Sequence, residues 1–175
     1  MKTLKYILIV LGLIAIIVTT TLFLSKKQHM ITIIKGNTSR EPINIQLHKY
    51  QDSQCGMVID SIKYASQIVS PTGETWFFHD HGGMVKWLEH RSFKKDAKIW
   101  VHSIDTNRWI DGRKAYYTRD EETPMHYGFG AYEKKKPYTI SFDEMRLYTL
   151  RGETMENPTI RKQLLKEKKE HSGTN

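Results

Sequence analysis

The chain has only one cysteine, Cys55, so no intramolecular disulfide can form and the folded part must be held by its apolar core. It also lacks the compact signatures of common catalysts: there is no G-x-S-x-G elbow, no Walker loop, no H-E-x-x-H and no C-x-x-C-H. Gly128-Phe129-Gly130 lacks the third glycine and the strand-to-helix context of a dinucleotide fingerprint. Acidic residues are outnumbered, with 27 Lys and Arg against 19 Asp and Glu, a net charge of +8. The excess gathers in lysines flanking an apolar run, in Lys134-Lys135-Lys136 and between Arg161 and Lys169. Runs of this kind read as solvated faces or contacts with anionic lipid, and no nucleic-acid motif accompanies them.

What is present begins with Tyr6 to Leu24, an uncharged apolar stretch. At about 1.5 Å per residue it reaches about 30 Å as a helix, the thickness of a bilayer core. Residues 1–25 are therefore expected to be an uncleaved transmembrane signal-anchor. A cleaved secretory signal is the competing reading, with Thr19-Thr20-Thr21 the nearest approach to a cleavage site. Lys2 and Lys5 on one side face Lys26, Lys27 and Lys35 on the other, so charge alone does not set the orientation. Residues 26–42 read as a tether, 43–150 as the folded domain and 151–175 as a basic C-terminal tail.

Within the domain, Ile43, Ile45 and Leu47 alternate with polar neighbours as a half-buried strand does. Tyr64–Val69 and Thr75–Phe78 flank Ser70-Pro71-Thr72-Gly73-Glu74, a hairpin signal. Met84, Val85, Trp87 and Leu88 then fall at helical spacing behind Asp80, which predicts a helix from about His81 to His90 with Asp80 as its N-cap. Strands over Lys98–Ile104 and roughly Trp109–Thr118 and a helix over Phe142–Leu150 complete an α+β order. It reads as an N-terminal transmembrane helix followed by two small ββαβ-like halves. Thr159–Glu170 is expected to form a short charged helix.

Three places can carry chemistry. In Cys55-Gly56-Met57 an extended backbone would turn thiolate and thioether to one face, and soft sulfur donors select Cu(I) over hard cations; core packing is the plainer alternative. His79-Asp80-His81 offers two imidazoles at a metal-ligand spacing, or two surface histidines beside a helix cap. Met125-His126 lies in a turn between Pro124 and Gly128, where a thioether can be presented to solvent or pack inward. The remaining His and Met residues, His29, His48, His90, His102, Met145 and Met155, lack convergent spacing and read as structural.

The ordered set of Cys55-Gly56-Met57, Ala65–Val69, Phe78-His79-Asp80-His81-Gly82, Trp109-Ile110-Asp111 with Lys114–Tyr117, and Thr123-Pro124-Met125 with Tyr127–Ala131 resembles the NosL family. These are membrane-anchored copper chaperones for nitrous-oxide reductase assembly. The resemblance covers about Gln54 to Tyr132. It implies an extracytoplasmic, non-enzymatic domain on the inner membrane, with its soluble part in the periplasm. It further implies Cu(I) held by Cys55, Met57 and Met125, and a copper-accepting enzyme or its assembly complex as partner; His79, His81 or His126 is the nitrogen donor expected from the residues themselves. Two departures stand out: there is no N-terminal cysteine to acylate, and His79 and His81 stand where family members have an acid and an aliphatic. A metal-free scaffold in the assembly of a membrane-associated complex is the alternative from a different class.

Overall fold

The structure is a computed structural model that describes residues 2–24 and 30–172. Lys26, Lys27 and His29 of the tether and the last three residues of the tail lie outside the described residues. Helix α1 (Lys2–Leu24) contains, over Thr3–Thr21, the one helix among the described residues long and apolar enough to cross a membrane.

The domain is an α+β unit around a five-stranded antiparallel sheet in the order β1-β3-β2-β4-β5. Its strands are β1 (Ile33–Ile34), β2 (Ser66–Val69), β3 (Thr75–Phe78), β4 (Lys98–His102) and β5 (Trp109–Asp111). Between β3 and β4 runs α2 (His81–Glu89). A separate two-stranded ladder, β6 (Tyr116–Tyr117) with β7 (Ala131–Tyr132), precedes α3 (Phe142–Arg151) and α4 (Pro158–Ser172). No strand follows α3 among the described residues, so the second run does not repeat the first there.

Alternation along the strands divides the apolar residues between two faces. Ile68, Phe78, Ile99 and Val101 join Met84, Val85, Trp87 and Leu88 of α2 and Phe142 and Met145 of α3 in the main core. Phe77 and Ala65 point the other way and meet Ile45, Tyr50 and Ile59. The expected hairpin is closed by the Ser70 amide donating to the Glu74 carbonyl at 2.9 Å. The expected cap is also present, with Asp80 Oδ1 accepting from the Gly82 amide at 3.1 Å.

Two expectations are corrected. Ile43–Leu47 joins no ladder; the buried Gln67 side chain stands in for a strand neighbour, its Oε1 accepting from the Ile43 amide and its Nε2 donating to the Ile43 carbonyl, both at 2.8 Å. The long segment expected over Trp109–Thr118 is broken into β5 and β6 by a turn, where Ala115 N–H donates to the Asp111 carbonyl at 3.0 Å. The expected charged helix over Thr159–Glu170 is present as α4, and the C-terminal segment is docked, for Met155 and Leu164 are buried at 3 % and 7 % exposure.

Gly82 shows how closely α2 is seated, because a Cβ there would lie 2.1 Å from Tyr127 Cγ, whereas at Gly83 the nearest outside atom would be Gln54 Cγ at 3.8 Å. Gly82→Ala is expected to cost about 1–3 kcal/mol through overpacking. Gly83→Ala should be neutral or gain up to about 1 kcal/mol from helix propensity. Urea unfolding followed by tryptophan fluorescence separates the two; equal effects would contradict this packing.

Candidate metal centre

The site is built on a tight hairpin, Tyr50 to Ile59. The Ile59 amide donates to the Tyr50 carbonyl at 2.9 Å, the Asp52 amide to the Met57 carbonyl at 2.8 Å and the Gly56 amide to the Asp52 carbonyl at 2.9 Å. Cys55 therefore sits in a turn and not on a strand, and Gly56 follows it with φ +77°, a left-handed conformation that glycine adopts without strain. The expected extended C-x-M geometry is absent. Met57 leaves the turn 44 % exposed, and Cys55 is exposed. The hairpin is fastened to the end of β3 by the Ser53 amide, which donates to the Phe77 carbonyl at 2.8 Å.

Beneath Cys55 lies Asp52, 2 % exposed. Its Oδ1 accepts from the Gln54 and Cys55 amides at 2.7 and 3.0 Å, while Oδ2 accepts from the His79 amide at 2.8 Å and lies 2.6 Å from His79 Nδ1. Burial raises the carboxyl's pKa, but the His79 ring, the His79 amide and the amides of Cys55 and Gln54 outweigh it and hold Asp52 below the ordinary range. An ionised carboxylate only accepts, so Nδ1 of His79 carries the hydrogen of this bond, and Nε2 is the nitrogen that a neutral ring would offer as a donor to a metal. That Nε2 is buried and has no hydrogen-bond partner among the described residues. Cys55 Sγ lies 3.9 Å from His79 Nδ1. Ligand atoms of Asp52, Cys55 and His79 all fall within 4.8 Å of one another, close enough to hold one metal ion.

The cysteine thiol is pushed up, first by partial burial and then by the Asp52 carboxylate, with the Met57 amide opposing. An incoming metal ion therefore has a proton to displace on binding.

His79 and its neighbour Asp80 divide the work of assembly. While His79 holds the hairpin, Asp80 caps α2 through Oδ1 and accepts from the Met125 amide through Oδ2 at 2.9 Å. Burial lifts the Asp80 carboxyl above its usual range, against donors from Thr123, Met125 and Gly82. The 123–128 turn is thereby set beside the start of α2, with Gly128 N–H donating to Thr123 Oγ1 at 3.1 Å. Met125 is half-buried and packs against the main core, whereas His126 is exposed with φ +59°.

His81 lies elsewhere. It is wholly buried, with Nδ1 2.7 Å from Ser66 Oγ and its ring edge-on to Tyr117 at 5.8 Å. The structure thus groups Cys55 and His79, places the Met125 backbone one residue away from that pair through Asp80, and does not bring His81 into the group. Asp52 was not singled out in the sequence. Its signal was local: in Asp52-Ser53-Gln54-Cys55 an aspartate stands two and three residues before amides it can cap, a pattern that rigidifies a turn. No family model matches the chain, and no curated protein does.

His81 supplies a test of the burial pattern. Desolvation, and then the charge of His102, push its pKa down to about 3. In the unfolded chain it would bind a proton near pH 6.5. Stability contributed by its neutral ring is thus fully present above about pH 6.5 and lost as the pH falls toward 3. Removing it by His81→Gln should flatten the fall of unfolding free energy between those limits by up to about 1.4 kcal/mol per pH unit. Parallel pH profiles of wild type and variant would contradict the buried neutral imidazole.

Proposed function

We propose that the chain is a membrane-anchored, extracytoplasmic Cu(I) chaperone whose metal is held at the hairpin tip by the Cys55 thiolate and the His79 imidazole. The observation that carries this reading is the grouping of ligand atoms of Asp52, Cys55 and His79 within 4.8 Å of one another, with the His79 ring fixed by Asp52 and its buried Nε2 without a hydrogen-bond partner among the described residues. A carboxylate that grips the far nitrogen of a ligating histidine sets its tautomer and orientation and raises its basicity. Thiolate and imidazole are donors for Cu(I) and for zinc, and an added thioether tilts the preference to Cu(I). Met57, exposed two residues from Cys55, and Met125, in the turn tied to Asp80, are the thioethers within the same assembly.

Cu(I) is cargo in this reading. An ion held by few ligands on an exposed turn leaves room for a ligand from an acceptor, so that transfer proceeds by exchange. The anchor would keep the domain near membrane-bound partners and raise their effective concentration. The resemblance to the NosL family supports a periplasmic location, a two-half ancestry of the domain and a cuproenzyme such as nitrous-oxide reductase, or its assembly complex, as client. A non-catalytic role is favoured by a thiol pushed up and not down, since nucleophilic cysteines need the opposite shift.

Anaerobic Cu(I) titration of the full chain against a chromophoric chelator tests the reading, with Zn(II) run in parallel. One ion per chain is expected, with preference for Cu(I). Cys55→Ser should abolish tight binding, Asp52→Asn should weaken it about 10–100-fold, and Met125→Ala should reduce it less than Cys55→Ser. Failure of the wild type to compete would favour the metal-free scaffold. Unchanged binding in Cys55→Ser would move the metal elsewhere.

A further inference from the structure

The second concentration of positive charge lies on the loop between β7 and α3 and on α4. Lys134, Lys135, Lys136, Pro137 and Tyr138 are all exposed, Tyr138 at 69 %. Both ends of this loop are pinned. On one side the Glu133 and Lys134 amides donate to Asp105 at 3.0 and 3.1 Å; on the other, Tyr117 and Ile140 exchange amide-to-carbonyl bonds of 2.9 and 2.8 Å. Tyr138 at the tip has φ +64°, a conformation that aromatic residues rarely take. The pinned loop thus carries, just after three exposed lysines, an aromatic residue that is largely exposed in an unfavourable backbone conformation.

Beside the loop lies α4, with a shallow groove between them lined by Lys136, Pro137, Tyr138 and Ile140 on one side and Leu164 and Lys168 on the other. Leu164 is buried, and Lys168 is tied to the Asp120 carbonyl at 2.9 Å, which fixes the inward face of the helix. Lys162, Lys166 and Lys169, spaced four and three apart, form one stripe opposite Leu164, and all are exposed. Acidic groups of this face already have partners. Glu133 is held by Arg108, Asp120 by Lys168 at 3.3 Å, Glu167 by Gln163 at 3.0 Å and Glu170 by Lys166 at 3.8 Å.

We propose that the Lys134–Tyr138 loop and the lysine stripe of α4 dock on the anionic headgroups of the membrane that α1 would span. Lysines flanking an aromatic ring are the composition of an interfacial anchor, the ring entering the headgroup layer and the ammonium groups meeting lipid phosphates. The tether argues for lipid as the occupant. From Leu24 to Met30 the chain advances six residues, a reach of at most about 22 Å, so the domain cannot leave the vicinity of the bilayer. This surface is distinct from the Cys55 turn, and the inference does not depend on the metal.

Hydrogen–deuterium exchange of the full chain in nanodiscs tests it. Amides of residues 134–139 and 162–169 should exchange severalfold more slowly in nanodiscs containing phosphatidylglycerol than in phosphatidylcholine alone. High salt should remove the difference, as should the combined substitution Lys134→Gln, Lys135→Gln and Lys136→Gln at three exposed side chains, of which Lys136 also lies over the Tyr132 ring. Equal exchange in the two lipids would overturn the proposal, and so would protection that survives both high salt and the triple substitution.

Discussion

The arrangement around Cys55 depends on one buried carboxylate. Asp52 is almost wholly removed from water yet held ionised, which is tolerable only because four donors converge on its two oxygens: the amides of Gln54, Cys55 and His79 and the ring of His79. Removing any of them leaves charge without compensation in the interior, so the group forms as a unit. Through it a two-stranded turn that has little core of its own is locked to the junction of β3 and α2. Asp80, the residue after His79, performs the same service for the 123–128 turn. Two loops far apart in sequence are thus drawn to one helix start by adjacent residues of a single dipeptide.

Much of this scaffold was legible in the sequence because it follows from local chemistry. The turn residues between Val69 and Thr75 forced a hairpin, and Asp80 ahead of an apolar run at helical spacing announced the cap of α2. What was misread depended on side chains standing in for backbone. Ile43–Leu47 has the alternation of a strand, but its hydrogen bonds go to the Gln67 amide group, a long-range substitution that no periodicity reveals. Cys55-Gly56-Met57 has the spacing of an extended pair, yet Gly56 takes the left-handed region and the aspartate three residues before the cysteine closes a turn.

The two histidines of His79-Asp80-His81 were equivalent in the sequence and are opposite in the structure. The residue before the helix cap points to the hairpin and the one after it enters the helix and is buried against Ser66 and Tyr117. Strand alternation would keep residues two apart on one face, but β3 ends at Phe78 and α2 starts at His81, so the period changes between the two rings and shared spacing does not bring them together. His79 stands in the group with Asp52 and Cys55, and His81 packs against Ser66 and Tyr117. Their separation leaves sulfur, from Cys55 and a methionine, as the complement that the proposed Cu(I) site requires.

X-ray absorption at the copper K-edge of the Cu(I)-loaded full chain addresses the central claim most directly. The account predicts a sulfur shell together with the outer-shell scattering of one imidazole, the imidazole signal vanishing in His79→Ala and the sulfur shell thinning in Cys55→Ser. A spectrum with sulfur alone, or one that His79→Ala leaves unchanged, would contradict it.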